Sequence, residues 1–252
     1  MLLVGDWSAA WVERIREDFP AQYLNCGIAE ANMVSVAAGL ALAGKRPYVC
    51  GINNFITLRA FEQVSVDVCT MQLPVTFVGV GAGYTYSTDG PTHHGVCDLG
   101  AMMALPCEIF NCSDAIVTDW IARDQANVPR YVRLERGELP EFQTAYAFEH
   151  GLRVLRFGEA WLLGSGYMVS ELMKEDPSYG VIDLFRVKPI NEELLRFVVG
   201  KKPVIVVEDN LHGPIHKAVS AVIGKCQSVA PQGHVFQYGQ RDFVHRHAGI
   251  LA

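Results

Sequence analysis

A chain of 252 residues, half of them hydrophobic, can hold one large domain or two modest ones and is too apolar for a disordered polymer. Its formal net charge of −6 argues against nucleic acid or an anionic membrane surface as partner. The longest apolar helix candidate, residues 33–43, falls short of the roughly 18 residues a membrane span needs, and the first residues carry no basic n-region, so neither a span nor a signal peptide is expected. Seven cysteines, an odd number without CxxC spacing, point to a reducing, cytoplasmic setting in which thiols such as Cys50 and Cys69 pack as small hydrophobes.

In chain order, β-rich runs at residues 2–4, 48–51, 75–80, 108–111 and 131–134 alternate with helical periodicity at 9–16, 29–43, 59–71 and 114–123. Gly, Pro and Glu then interrupt the pattern between 136 and 151, which reads as a linker. Strand patterns resume at 161–164, 181–185 and 204–208, with helices at 167–174, 192–199 and 215–223. The expected fold is α/β, with two domains, each a mostly parallel sheet with helices on both faces. The expected bounds are 1–140 for the first domain, 141–150 for the linker and 151–252 for the second.

Three features could carry chemistry. Glu30 opens an apolar helical segment and is its only charged residue before Lys45. A carboxylate in a first helical turn complements the macrodipole; one desolvated by an apolar helix could instead stay protonated and donate to a ring nitrogen. Asp89-Gly90-Pro91-Thr92-His93-His94 follows a glycine-rich loop at a strand end, where an open α/β sheet presents its ligand site. The loop gathers a carboxylate, a hydroxyl and imidazoles suited to proton transfer at sugar hydroxyls and carbonyls, and adjacent loop histidines have no standard metal-ligand spacing. Arg133 and Arg136 follow the fifth strand and read either as solvated charges or as a grip on a substrate phosphate. His245 and His247 read as exposed or interface residues, and His212 as structural.

Taken in order, several segments resemble the transketolase family of thiamine-diphosphate enzymes and its relative 1-deoxy-xylulose-5-phosphate synthase. They are Gly27-Ile28-Ala29-Glu30, then Phe55 with Arg59-Ala60-Phe61-Glu62-Gln63, then Asp89-Gly90-Pro91-Thr92-His93, then Leu134-Glu135-Arg136-Gly137, and later Val181-Ile182-Asp183-Leu184-Phe185-Arg186 and Val207-Glu208-Asp209. The resemblance implies a pyrimidine-binding domain followed by a transketolase C-terminal-like domain. It makes Glu30 the catalytic partner of the aminopyrimidine N1′, a contact that favours the tautomer able to deprotonate the thiazolium. Phe55, Asp6 and Phe61 become further cofactor contacts. His93 becomes catalytic and, with Asp89, His94, Arg136 and Arg133, a substrate contact.

Departures from the family pattern shape the expected assembly. The Gly-Asp-Gly…Asn motif that holds Mg²⁺ and the diphosphate is not in this sequence, and Gly81 and Ala82 stand where relatives carry a phosphate-directed His or Arg. The resemblance therefore implies the β-like subunit of a split transketolase that transfers a two-carbon ketol unit between sugars or sugar phosphates. A partner with the diphosphate domain would supply Mg²⁺ and share thiamine diphosphate in an α2β2 heterotetramer. Part of a deoxyxylulose-phosphate synthase, and a non-catalytic assembly or regulatory homologue, are the alternatives.

Overall fold

A computed structural model of the protein describes residues 1–125, 127–143 and 150–250. Residues 144–149 of the expected linker lie outside them. The first part contains strands β1 (Leu2–Val4), β2 (Tyr23–Asn25), β3 (Tyr48–Ile52), β4 (Thr76–Val80), β5 (Glu108–Asn111) and β6 (Arg130–Leu134). Beyond the linker come β7 (Arg153–Arg156), β8 (Ala160–Gly164), β9 (Tyr179–Asp183), β10 (Arg186–Lys188), β11 (Val204–Val207) and β12 (Gln227–Val229). They form a seven-stranded sheet in the order β10-β5-β6-β4-β3-β1-β2 and a five-stranded sheet in the order β12-β11-β8-β9-β7. Among the described residues every strand pairing is parallel except β10 with β5 and β7 with β9, so the expected α/β class with mostly parallel sheets holds.

Strands buried on both faces need continuous apolar runs, as in Val204-Ile205-Val206-Val207. Helices α1 (Ala10–Asp18), α2 (Glu30–Leu42), α3 (Asn53–Ile56), α4 (Phe61–Gln63), α5 (Asp98–Met103) and α6 (Ala115–Arg123) accompany the first sheet in sequence. With the second come α7 (Met168–Leu172), α8 (Glu192–Val199), α9 (Pro214–Ile223) and α10 (Arg241–His247). Met33, Val34, Ala37, Ala38 and Ala41 recur at helical spacing along α2 and are buried. They join one hydrophobic core that runs from Leu3 and Phe77 of the first sheet to Leu163, Ile182 and Val206 of the second. No helix among the described residues is long and apolar enough to cross a membrane.

The structure departs from the sequence pattern where elements are short or broken. The helix expected over 59–71 is instead α4 running into a π-helical stretch, Val64–Thr70, preceded by the separate turn α3. The wider π turn brings Val64, Val68 and Cys69 together on the buried side. Thr57 Oγ1 donates to the Asn53 carbonyl at 2.6 Å where α3 ends. Edge strands β2, β7, β10 and β12 hold only three or four residues each, too few for a periodicity to register. β10 also crosses the expected boundary, because residues 186–188 complete the first sheet after the chain has already built part of the second.

Two buried polar clusters lock the sheets. Arg153 is fully buried between Asp114 (2.6 Å) and Asp183 (2.8 Å), and Asp114 also caps α6 by accepting the Val117 N–H at 2.9 Å. At the end of β11, Glu208 accepts N–H bonds from Ile215 and His216 at the start of α9 and from Asn210. Burial outweighs these donors and pushes the Glu208 carboxyl up from its ordinary 4.5 to about 7. The raised value means that the folded chain holds a proton the unfolded chain has lost. The stability from that proton is complete below about 4.5 and is lost as pH rises through about 7. Denaturation midpoints are expected to fall from pH 5 to pH 8, with a shallower fall in Glu208→Gln; parallel pH profiles would contradict this.

Candidate active site

The carboxyl ends of β1, β3, β4 and β6 lie side by side, and the loops leaving them enclose a cleft of about 620 Å³. Ile52, Val80 and Leu134 form its floor, and Trp7, Tyr86, Asp89, His93 and Arg136 stand on its walls. This is where strand ends of a parallel sheet release their loops without a crossing helix, so side chains from distant sequence positions converge.

Glu30 is the first residue of α2, only 4% exposed, and lies beside Gly5 at the end of β1. Both of its carboxylate oxygens accept from Arg59 Nη1 at 2.9 Å. The Arg59 guanidinium carbon in turn lies 4.1 Å from the centre of the Phe55 ring. Phe55 meets His93 edge-on at 5.3 Å, His93 meets Tyr86 at 6.0 Å, and Arg136 lies 5.4 Å over Tyr86. Glu30 and Phe55 are not in the cleft lining, and this single run of contacts joins them to His93 and Arg136, which are.

The loop after β4 is built to present His93 and Asp89. It turns through Gly81 (φ +98°) and Gly83 (φ +58°), and Gly83 bridges Gly95 in antiparallel fashion. A Cβ at Gly81 would lie 2.2 Å from the Tyr86 ring, so Tyr86 occupies the room any side chain at 81 would need. Asn54 of α3 donates to the carbonyls of His94 (2.9 Å) and Thr92 (3.3 Å), while Thr92 Oγ1 lies 2.9 Å from His93 Nδ1. Asp89 is exposed on the rim.

Residues after the linker brace the same loop. Leu211 N–H donates to the Val96 carbonyl (2.9 Å) and Gly239 N–H to that of Ser87 (3.0 Å). Arg241 of α10 donates to Glu135 at 2.7 Å, and Glu135 also accepts from Thr85. The Asp209 carboxylate packs so closely on Gly83 that a Cβ there would stand 1.6 Å from Oδ2.

Four expected site residues stand elsewhere. Arg133 is neither a solvated charge nor a cleft residue: its side chain is fully buried, on Asp98 at 2.7 Å and on the Gly95 carbonyl at 2.6 Å. Asp98 further accepts from Tyr131 (2.5 Å) and Asn53 (3.0 Å), making this cluster the footing of the loop. His94 turns away from His93, is 3% exposed and meets Tyr84 edge-on at 5.1 Å; burial pushes its pKa down, which leaves it a neutral packing residue. Phe61 packs against the hydrophobic core, and Asp6, in the left-handed region at φ +52°, is exposed outside the cleft lining. His245, expected at the surface or an interface, is instead fully buried inside the chain between Tyr84 and Tyr167, and His212 is exposed with φ +60°.

Sequence reasoning missed Arg59, Tyr86, Asn54 and Trp7 as participants. Arg59 stands in the same quoted segment as Phe55, and it reaches the Phe55 ring from the turn that follows α3. The other three are recruited by loop geometry that no periodicity encodes.

Residues 8–141 match the family model described as transketolase, pyrimidine binding domain. The chain is 32% identical to one of the subunits of apulose-4-phosphate transketolase from Actinobacillus succinogenes, over 97% of this chain and 86% of that one. It is 30% identical to 1-deoxy-D-xylulose-5-phosphate synthase of Mycobacterium sp. (strain KMS), over 93% of this chain but only 40% of that protein. Among solved structures, a split gene transketolase in the form of an inactive β4 tetramer matches with a TM-score of 0.81 at 27% identity, covering 100% of this chain and 88% of that one.

Proposed function

Because the chain belongs to the transketolase family, through that family's pyrimidine-binding domain, we propose that it is the pyrimidine-binding subunit of a split, thiamine-diphosphate-dependent transketolase-like enzyme. In this reading residues 1–140 are the pyrimidine-binding domain and residues 151–252 the transketolase C-terminal-like domain. A partner subunit supplies the diphosphate-binding domain and its Mg²⁺ in an α2β2 assembly in the cytoplasm. The likeness to a single subunit of the Actinobacillus transketolase, and to a β4 tetramer described as inactive, supports dependence on a partner.

The observation that carries the reading is the Glu30–Phe55 pair. Glu30 is a buried carboxylate at the start of an apolar helix, and the planar guanidinium that contacts it also lies over the face of Phe55. A flat aminopyrimidine with a ring nitrogen makes the same two demands, a face to stack on and a carboxyl to pair with, so the residues present fit the cofactor. Thiamine diphosphate supplies the nucleophilic carbon and electron sink for breaking a carbon–carbon bond. Glu30 holds a proton at its carboxyl oxygen against the ring nitrogen, which requires Arg59 to yield at least one of its contacts. Phe55 fixes the ring plane. His93 and Asp89 orient sugar hydroxyls, with His93 the group able to move a proton at the substrate oxygen. Asp6 and Phe61 are left outside this core, and Arg133 and His94 support the loop.

The isolated chain is expected to show no saturable thiamine-diphosphate binding by calorimetry with Mg²⁺ present, and to gain ketol transfer when the partner subunit is added. Tight Mg²⁺-dependent binding by the pure chain would overturn the split site. A second reading is favoured by the match to the Mycobacterium synthase, namely part of a deoxyxylulose-phosphate synthase-like enzyme. Pyruvate decarboxylation by the reconstituted complex, in place of ketol transfer, would select it.

A further inference from the structure

The cleft lined by Asp89 and His93 has an unusual wall for a site that handles anionic sugars. Trp7 and Trp11, from the loop after β1 and the start of α1, both line it, with ring centres 5.9 Å apart and planes at 59°. Trp7 shares this lining with Tyr86, Asp89 and His93 of the loop after β4. Trp11 is 42% exposed although a large aromatic gains by burial, so the cleft presents apolar ring surface to whatever enters.

The charge lining the cleft is acidic. Asp89, Glu135 and Glu138 face it against one guanidinium, that of Arg136, among the described residues. Glu135 is already engaged by Arg241, which leaves Asp89 and Glu138 to offset Arg136. A phosphate group is normally held by several guanidinium, ammonium or backbone N–H donors, or by a free helix N-terminus. The helix start at this cleft, that of α1, already carries Glu13 in its first turn, with Ser8 donating to that carboxylate. Indole and phenol faces match the C–H faces of a sugar, and carboxylates accept its hydroxyl protons.

Building on the reading above, we propose that this cleft takes a neutral sugar acceptor, one without a phosphate group on the part lodged against Trp7 and Trp11. Asp89 and Glu138 accept its hydroxyls and disfavour a phosphorylated analogue by like-charge repulsion.

The test uses the complex reconstituted with the partner subunit and two acceptors that differ only in the phosphate, glyceraldehyde and glyceraldehyde 3-phosphate. The unphosphorylated aldehyde is expected to show the higher kcat/KM by about tenfold or more, with Glu138→Lys narrowing or reversing that ratio. Trp11→Ala, at an exposed position, is expected to lower kcat/KM for glyceraldehyde about tenfold while leaving cofactor affinity unchanged. Transfer that favours the phosphorylated aldehyde, or a ratio unmoved by Glu138→Lys, would overturn the proposal while leaving the transketolase-like reading intact. If the complex transfers nothing, that reading fails, and the cleft is judged by tryptophan fluorescence of this chain. Quenching by glyceraldehyde at lower concentration than by its phosphate, lost in Trp11→Phe, supports the proposal, and the reverse order refutes it.

Discussion

Replacing Glu30 with glutamine in the complete two-subunit enzyme is expected to lower kcat for ketol transfer by about 10²- to 10⁴-fold, the range lost when a positioned acid–base group is removed. Glutamine keeps the shape of the side chain and a hydrogen-bonding oxygen, but it cannot hold or release a proton at that oxygen. The cofactor's dissociation constant is expected to change far less than kcat, because the proposed stacking on Phe55 and the proposed hold of the partner on the diphosphate would be untouched. That split between binding and turnover separates an acid–base role from a packing role, which would move both or neither. An unchanged kcat would remove Glu30 from the chemistry and leave it as a helix-terminal carboxylate paired with Arg59.

The second large effect is on stability. Arg133→Met would leave the Asp98 carboxylate fully buried with only the Tyr131 hydroxyl and the Asn53 amide as partners. Breaking a buried ion pair from one side typically costs about 3–5 kcal/mol, because the remaining charge loses its counter-charge without regaining water. The denaturation midpoint in urea should fall accordingly, and the loop carrying His93 should loosen, since Arg133 also donates to the Gly95 carbonyl. Arg136→Met offers the contrast. Its side chain is exposed, so stability should stay within about 0.5 kcal/mol of the parent while acceptor kinetics change. A stable Arg133→Met whose only defect is a raised KM would restore Arg133 as a ligand and refute its role as the footing of the loop.

The two arginines show why sequence pattern reaches some decisions and not others. In Arg133-Leu134-Glu135-Arg136 both lie at the end of one strand, and their charge and spacing are compatible with one shared task. Arg133, still within β6, points to the α5 side and meets Asp98, a helix residue 35 positions earlier. Arg136, past the strand end, lies over Tyr86 at the cleft. The same contrast separates His93 from His94: His93, in a turn closed by its N–H on the Gly90 carbonyl, lines the cleft, while His94 is buried against Tyr84.

Sequence by itself determined the fold class, the core elements and the family. Long apolar runs and the α2 stripe follow from the cost of leaving apolar surface in water, and that cost is written locally in residue spacing. Glu30 and the Asp89–His93 segment were legible for a related reason, as charged or polar groups placed where packing alone does not require them. Tertiary structure alone decided which groups share the site: that Arg59 bridges Glu30 and Phe55, that Tyr86 fills the space over Gly81, and that Arg241 and Asp209 brace a loop of the other sheet. It also returned β10 to the first sheet, across a boundary that composition had marked. These outcomes depend on which buried polar group finds which partner across tens of residues, a matching set by distance and direction in the folded chain and carried by no local period.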